Sequence, residues 1–201
     1  MNVELLQPFT VLDIEKALFQ MHPLKSPGPD GFSTCFYQQS WKIVKGEVCN
    51  AILDFLNNDV FDVEINTTNI TLIPKKKRST TISDYRPISL CNVGYKLIAK
   101  VLANHVKRIL PHIISPTQSA FILGRLITDN ILVKFEALHS MDGGMKGREG
   151  YMALKLDMRK AYDRVEWDFL EEMRHKIGFV CSYYLLFSFD KWQSLWQHPP
   201  F

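Results

Sequence analysis

The sequence predicts an α+β fold, mostly helical, with a small antiparallel sheet. Two observations carry that prediction. Apolar residues recur at three- and four-residue spacing in five segments, near 10–21, 32–57, 92–113, 126–140 and 165–177, the period of a helix with one buried face. β-branched or alternating runs near 68–73, 86–90 and 151–157 carry the strand period instead, and the first two stand close enough to form a hairpin.

At 201 residues the chain can bury a core in one or two domains. With 46% apolar and 22% charged residues it has the composition of an ordinary globular protein. The formal net charge of +3 is compatible with a polyanionic partner without demanding one. Cys35, Cys49, Cys91 and Cys181 form no C-x-x-C pair and have no histidine at metal-ligand spacing. They read as reduced, mostly buried thiols in an intracellular protein of the nucleus or cytoplasm, not as a disulfide framework or a zinc site. No basic-then-apolar leader opens the sequence and no apolar run matches a bilayer span, so no membrane partner is expected.

The elements follow in order. Thr10 with Asp13 marks a helix start, Ile14, Ala17, Leu18 and Met21 give the apolar face, and Pro23 ends it. Leu24-Lys-Ser-Pro-Gly-Pro-Asp-Gly31 is a punctuated loop in which two prolines fix φ and two glycines free it. Such a loop can present backbone amides and the Lys25 cation to an anion, or serve as a plain turn. Trp41, Val44, Val48, Ile52, Phe55 and Leu56 then mark one or two amphipathic helices, and Thr67–Ile73 is a β-branched strand.

Four consecutive cations, Lys75 to Arg78, precede a Ser/Thr-rich turn and Asp84-Tyr-Arg86-Pro-Ile-Ser-Leu90. Lys76, Lys77 and Arg78 read as a solvated hairpin tip. Lys75 and Arg86 each flank an apolar strand, so a hairpin would bring both to one pocket. There Arg86 can fork onto phosphate oxygens while Lys75 acts as a point charge.

The segment 92–113 reads as one long helix with a basic polar face (Lys96, Lys100, Lys107, Arg108), suited to a nucleic-acid backbone or to solvent, with His105 and His112 structural. A helix through Asp129, Ile131, Leu132, Phe135 and Leu138 follows. After a Gly-rich loop, Met152, Leu154 and Leu156 alternate with Tyr151, Ala153 and Lys155 in a strand that ends at Asp157. A strand-end acid before a helix suits a hard divalent ion such as Mg²⁺, or caps the following turn; Tyr162 walls the same pocket or simply packs. Phe169, Leu170, Met173 and Ile177 mark the last helix, and Gly178 stops it.

Several blocks, in this order, resemble the reverse transcriptase domain of LINE-type non-LTR retrotransposons, plant-like in wording. They are Lys25-Ser-Pro-Gly-Pro-Asp-Gly31, then Ile73-Pro-Lys75 with Tyr85-Arg86-Pro-Ile-Ser-Leu90, then Gln118-Ser-Ala-Phe-Ile-Leu-Gly124-Arg125, and Asp157-Met-Arg-Lys-Ala-Tyr162-Asp163. The resemblance runs over roughly residues 8 to 180. It implies the fingers and a partial palm of a right-hand polymerase: an N-terminal helix in 1–22, fingers and the start of the palm in 23–150, and the catalytic strand and helix in 151–180. It implies RNA-directed DNA synthesis, with a primer 3′-hydroxyl attacking a dNTP on an RNA template in the presence of Mg²⁺. By the same resemblance Asp157 is the catalytic, metal-binding acid, Lys75 and Arg86 hold the triphosphate, and Tyr162 lies beneath the nucleotide sugar. Lys25, Gly28 and Gly31 form a loop approaching the template, and Gln118 and Arg125 contact nucleic acid.

Residues 181–201 depart from the family's pattern and read as an aberrant tail. Neither a Q-G-x-P loop nor a [YF]-x-D-D hairpin occurs in the 201 residues, and Phe187-Ser-Phe-Asp190 offers one acid followed by lysine. A two-metal centre needs acids from two elements to hold ions about 3.5–4 Å apart. The isolated chain is therefore expected to bind nucleic acid without turnover. The alternatives are a non-catalytic remnant of a degenerate element, or a group II intron maturase-like reverse transcriptase, which the wording Arg86-Pro-Ile-Ser-Leu-Cys-Asn-Val-Gly-Tyr-Lys96 argues against. Two structural expectations follow: strand 151–157 is an exposed sheet edge, and Lys75 and Arg86 face the same cleft as Asp157.

Overall fold

The computed structural model describes residues 7–58, 63–120, 122–143, 152–154, 156 and 164–177. The chain divides into two compact units, the first spanning Leu6–His105 and the second continuing from Val106.

In the first unit, helix α1 (Val11–Phe19) begins where Thr10 and Asp13 predict. The Thr10 hydroxyl accepts the Asp13 N–H at 3.4 Å, and an Asp13 carboxylate oxygen accepts the Thr10 N–H at 3.0 Å. Two otherwise orphaned donors are thereby satisfied. Ile14, Ala17 and Leu18 are fully buried. At the far end the Gln38 amide donates to the carbonyls of Leu18 and Met21 at 2.9 and 3.0 Å, closing the helix C-terminus.

The segment expected near 32–57 is two helices, α2 (Thr34–Gln39) and α3 (Trp41–Asn58). Ser40 separates them: its N–H ends α2 on the Phe36 carbonyl at 2.9 Å, and its carbonyl starts α3 by accepting the Val44 N–H at 3.1 Å. Trp41, Cys49 and Ile52 turn inward from α3. Lys45 reaches Glu15 at 2.6 Å and ties α3 to α1, and this hydrogen bond holds the Glu15 carboxyl below its ordinary range. Cys35, Cys49 and Cys91 are free thiols, and burial pushes the Cys49 thiol up.

A short 3₁₀ turn (Val63–Asn66) leads into β1 (Thr68–Pro74), which pairs antiparallel with β2 (Tyr85–Cys91). Thr68 lies opposite Cys91 and Pro74 opposite Tyr85. Pro87 lacks an N–H, yet it fits because each strand of a two-stranded sheet is an edge. The expected helix at 92–113 is broken. Helix α4 (Val93–Val106) buries Val93, Leu97, Ile98, Val101 and Leu102, residues 107–109 turn, and α5 (Leu110–Ile113) restarts with a proline in its first turn. Pro111 explains the break: it cannot donate to the Lys107 carbonyl, and its ring would clash there, whereas the start of a new helix accepts it. His105 is buried with its ring 4.8 Å from that of Phe9, the structural role expected of it.

The second unit contains α6 (Ile127–Gly143) and α7 (Trp167–Ile177), matching the expected helices at 126–140 and 165–177. The apolar stripe of α6 is not buried: Ile131, Leu132 and Phe135 are exposed. The strand expected at 151–157 is not formed where it is described. Residues 152–154 and 156 belong to no helix or strand, and Met152, Leu154 and Leu156 are 85, 71 and 84% exposed. An alternating sequence becomes a strand only when a neighbour completes its hydrogen-bond ladder and covers one face. Among the described residues the one sheet is β1 with β2, so 152–154 and 156 are not a sheet edge either. Among the described residues the architecture is thus α+β, helices with one two-stranded antiparallel sheet. No helix of the described residues is long and apolar enough to cross a membrane.

Candidate functional site

Lys75 and Arg86 stand at the outer end of the hairpin, Lys75 just past β1 and Arg86 near the start of β2. Ile73 lies opposite Arg86 in the register, and the Lys75 N–H donates to the Asp84 carbonyl at 2.8 Å, one step further along the ladder. Side chains alternate along each strand, so Ile73 and Arg86, opposite each other, share a face. Lys75 lies one residue past β1, and with its backbone pairing to Asp84 continuing the ladder it is a diagonal neighbour of Arg86, the backbones roughly 7–8 Å apart. A chain of two or three phosphates can span that separation. The Lys75 ammonium donates to the Ser83 carbonyl at 2.6 Å, which sets its direction. The Arg86 side chain is exposed and, among the described residues, its guanidinium has no recorded partner.

Asp84 organises the tip of the hairpin. Its carboxylate accepts the N–H groups of Thr80 and Thr81 at 3.1 and 3.3 Å and pairs with Lys76 at 2.7 Å. The Lys76 hydrogen bond, aided by the backbone donors, holds the Asp84 carboxyl below its ordinary range. Lys77 and Arg78 are exposed, as a solvated tip requires, but Lys76 is committed to Asp84. The sequence signal for this was Asp84 itself, three residues after Thr81 in a Ser/Thr-rich turn.

The Pro/Gly loop is held, not free. Gly28 to Gly31 form a turn in which the Gly31 N–H donates to the Gly28 carbonyl at 3.1 Å and Gly31 takes φ +75°. Asp30 accepts the Phe32 N–H at 3.0 Å on its side chain. Gly28 rests directly on the backbone after β2: a Cβ there would lie 2.4 Å from the Asn92 nitrogen and 2.5 Å from the Cys91 carbonyl carbon. Lys96 donates to the Ser26 carbonyl at 2.6 Å, and the Asp30 N–H donates to the Asn92 side-chain oxygen at 3.2 Å. The amides of Asp30 and Gly31 are therefore occupied within the protein, while Lys25 remains exposed. Sequence reasoning missed Asn92 and placed Lys96 on a solvated or nucleic-acid face. The available signal was a glycine between two prolines, which marks close backbone approach.

In the second unit Gln118 is exposed on the turn 115–118, whose N–H–to–carbonyl bond from Gln118 to Ser115 is 3.0 Å. Arg125 points its guanidinium back into that turn. It donates to the carbonyls of Ser115 and Gln118, the latter at 2.7 Å, and to that of Ile114 at 3.3 Å. Ser119, buried, donates to Asn130 of α6 at 2.8 Å and fixes the turn to the helix. The Arg125 fork thus pins backbone, whereas the family resemblance gave Arg125 a nucleic-acid contact.

Asp157 and Tyr162 lie outside the described residues, as does the cleft they were expected to share with Lys75 and Arg86. Among the described residues no group of three or more His, Cys, Asp or Glu side chains could hold a metal ion. No carboxylate cluster in this part of the chain fits magnesium, so no chemical step is derived through it.

A family model described as reverse transcriptase (RNA-dependent DNA polymerase) matches residues 73–199. That match begins at Ile73, near the end of β1, takes in β2, the Gln118–Arg125 block and the Asp157 motif, and runs on through most of 181–201. The chain is also 31% identical over 165 residues to a Xenopus laevis protein named Transposon TX1 uncharacterized 149 kDa protein. The alignment covers 81% of this chain and 12% of that protein, so the chain spans a small part of its relative's length.

Proposed function

The chain belongs to the reverse transcriptase (RNA-dependent DNA polymerase) family, as a segment of a retrotransposon's reverse transcriptase domain, and from that premise we propose that residues 23–150 are its fingers and the start of its palm and that the β1–β2 hairpin grips the incoming dNTP. One observation supports the reading: Lys75, whose N–H donates to the Asp84 carbonyl just past β1, and Arg86, opposite Ile73 in the register, stand near each other at the outer end of the hairpin. Arg86 supplies a planar fork of donors and Lys75 a point charge, a combination suited to phosphate oxygens. Lys25 and Gln118, both exposed, are the groups proposed to meet an RNA template or a DNA primer. Asp157 is proposed to bind Mg²⁺ and Tyr162 to sense the sugar, on the strength of the family motif they belong to. Nuclear or cytoplasmic action on an RNA template is part of the same proposal.

The test is equilibrium binding of a dNTP and of a primed RNA to the 201-residue chain. Lys75→Ala and Arg86→Ala should each weaken dNTP binding by about tenfold or more, the scale of losing one charge-assisted contact. Arg86→Lys should not restore it, since an ammonium cannot reproduce the fork. Lys77→Ala and Arg78→Ala, at the tip, should leave dNTP binding unchanged and lower only the salt sensitivity of RNA binding. If the tip variants abolish dNTP binding while Lys75→Ala and Arg86→Ala do not, the nucleotide-grip assignment is wrong.

A further inference from the structure

Three separate pieces of chain converge on Asn92. Its side-chain oxygen accepts the Asp30 N–H from the Pro/Gly loop at 3.2 Å, and its side-chain nitrogen donates to the Glu64 carbonyl of the 3₁₀ turn at 3.3 Å. Its own carbonyl accepts the Lys96 N–H at 3.2 Å and starts α4. A residue just before a helix commonly spends its side chain capping that helix. The Asn92 side chain instead faces away from α4 and bridges two distant segments, 62 and 28 residues removed. Gly28 seats the loop against the Asn92 backbone with no room for a Cβ, and Lys96, one turn along α4, holds the Ser26 carbonyl. Asp30, Glu64 and Asn92 also stand together along one side of a cavity of about 260 Å³, so the bracket closes over a space instead of resting on solid core.

We propose that Asn92 is a positioning residue that locks the loop 24–31 to the root of the hairpin, so that the loop and the hairpin act as one rigid body. The geometry makes the coupling direct. Arg86 lies near the start of β2 and Asn92 immediately follows its end, six residues on and about 20 Å away at the rise of an extended chain. The template-side cation, Lys25, is thus tied to the base of the arm whose outer part carries Lys75 and Arg86. An amide is the group required: asparagine donates to Glu64 and accepts from Asp30 at once, which a carboxylate or an alkyl chain cannot do. The inference rests on the proposed function only for what the coupling serves; the bracket itself is a statement about the fold.

The experiment combines hydrogen exchange with RNA binding in the full 201-residue chain. Asn92→Leu keeps the side chain's size and removes both hydrogen bonds. It should speed exchange of the Asp30 amide at least tenfold with the amides of α3 and α4 unchanged. Lys96→Met, which leaves the turn intact, should give a smaller acceleration in the same peptide, and Gly28→Ala should release the whole loop. In the wild-type chain Lys25→Ala should weaken primed-RNA binding severalfold. In the Asn92→Leu background the same substitution should cost almost nothing, because a released loop no longer presents Lys25. A purely structural asparagine would leave the Lys25→Ala penalty intact, and that result would overturn the proposal. So would unchanged Asp30 exchange in Asn92→Leu. If the wild-type chain binds no RNA, the functional reading fails, and the exchange data still decide whether the bracket exists.

Discussion

Replacing Arg125 distinguishes a backbone pin from a nucleic-acid contact. The guanidinium donates to three carbonyls, those of Ile114, Ser115 and Gln118. Deleting a charged donor from such a bond costs about 1.5–3 kcal/mol where the acceptor stays dry. Two of these bonds are exposed and the Ile114 bond is part-buried, so water can replace most of the loss. A total of about 1–2 kcal/mol is expected for Arg125→Ala. Arg125→Lys keeps the charge but cannot fork to three acceptors, so it should lose most of the same amount. The assay is urea unfolding followed by circular dichroism, with hydrogen exchange of 114–125 as a local check. Primed-RNA binding measured against salt should keep its wild-type slope in both variants. The reasoning is refuted if Arg125→Lys is as stable as wild type while Arg125→Ala lowers the salt slope by about one phosphate contact.

Thr10→Ala removes one half of the reciprocal cap on α1 and should destabilise the first unit by about 1 kcal/mol, read from a urea midpoint shift. Leu18→Ala, at a fully buried position, should cost about 2–5 kcal/mol and lower the thermal midpoint of the same unit. Asp84 carries a pH dependence whose sign follows from its depressed pKa. Its contribution to the hairpin tip is complete above the ordinary aspartate value of about 3.9 and is lost as pH falls through the lower folded value. Protection of the Thr80 and Thr81 amides, followed by NMR, should fade in that acid window, and Asp84→Asn should make it insensitive to pH there.

The elements legible in the sequence were those whose causes are local. The α1 cap, the α4 stripe and the β1–β2 hairpin are set by neighbours within a few residues, and all three form as expected. The break between α4 and α5 was equally local, since Pro111 was in plain view, but a continuous apolar stripe from Leu97 to Leu110 masked it. What was not legible depends on distant partners. Nothing within ten residues of Asn92 says that it will bond to Asp30 and Glu64. The Arg125 fork was hidden because a backbone carbonyl leaves no trace in a sequence, whereas a phosphate-binding motif does. At the described residues 152–154 and 156 the strand expected at 151–157 does not form, for the converse reason: its pattern is local but its ladder partner is not.

The hairpin shows why exposure and function belong together here. A two-stranded ribbon is marginally stable alone, and this one leaves Ile70, Leu72, Ile73 and Ile88 exposed on its two faces. Packing it into a core would add stability, but it would also draw Lys75 and Arg86 out of water, and a buried cation without a partner is costly. The arm is instead secured at its two ends, by Asp84 where the strands turn and by Asn92 and Gly28 at its base, where β2 gives way to α4. Fixing the ends and leaving the middle bare keeps the strand faces and the cations beside them hydrated. Substitutions that cap or bracket the hairpin should therefore alter binding through geometry, and substitutions on its face through charge, which is the distinction that the Asn92 and Arg86 variants are chosen to measure.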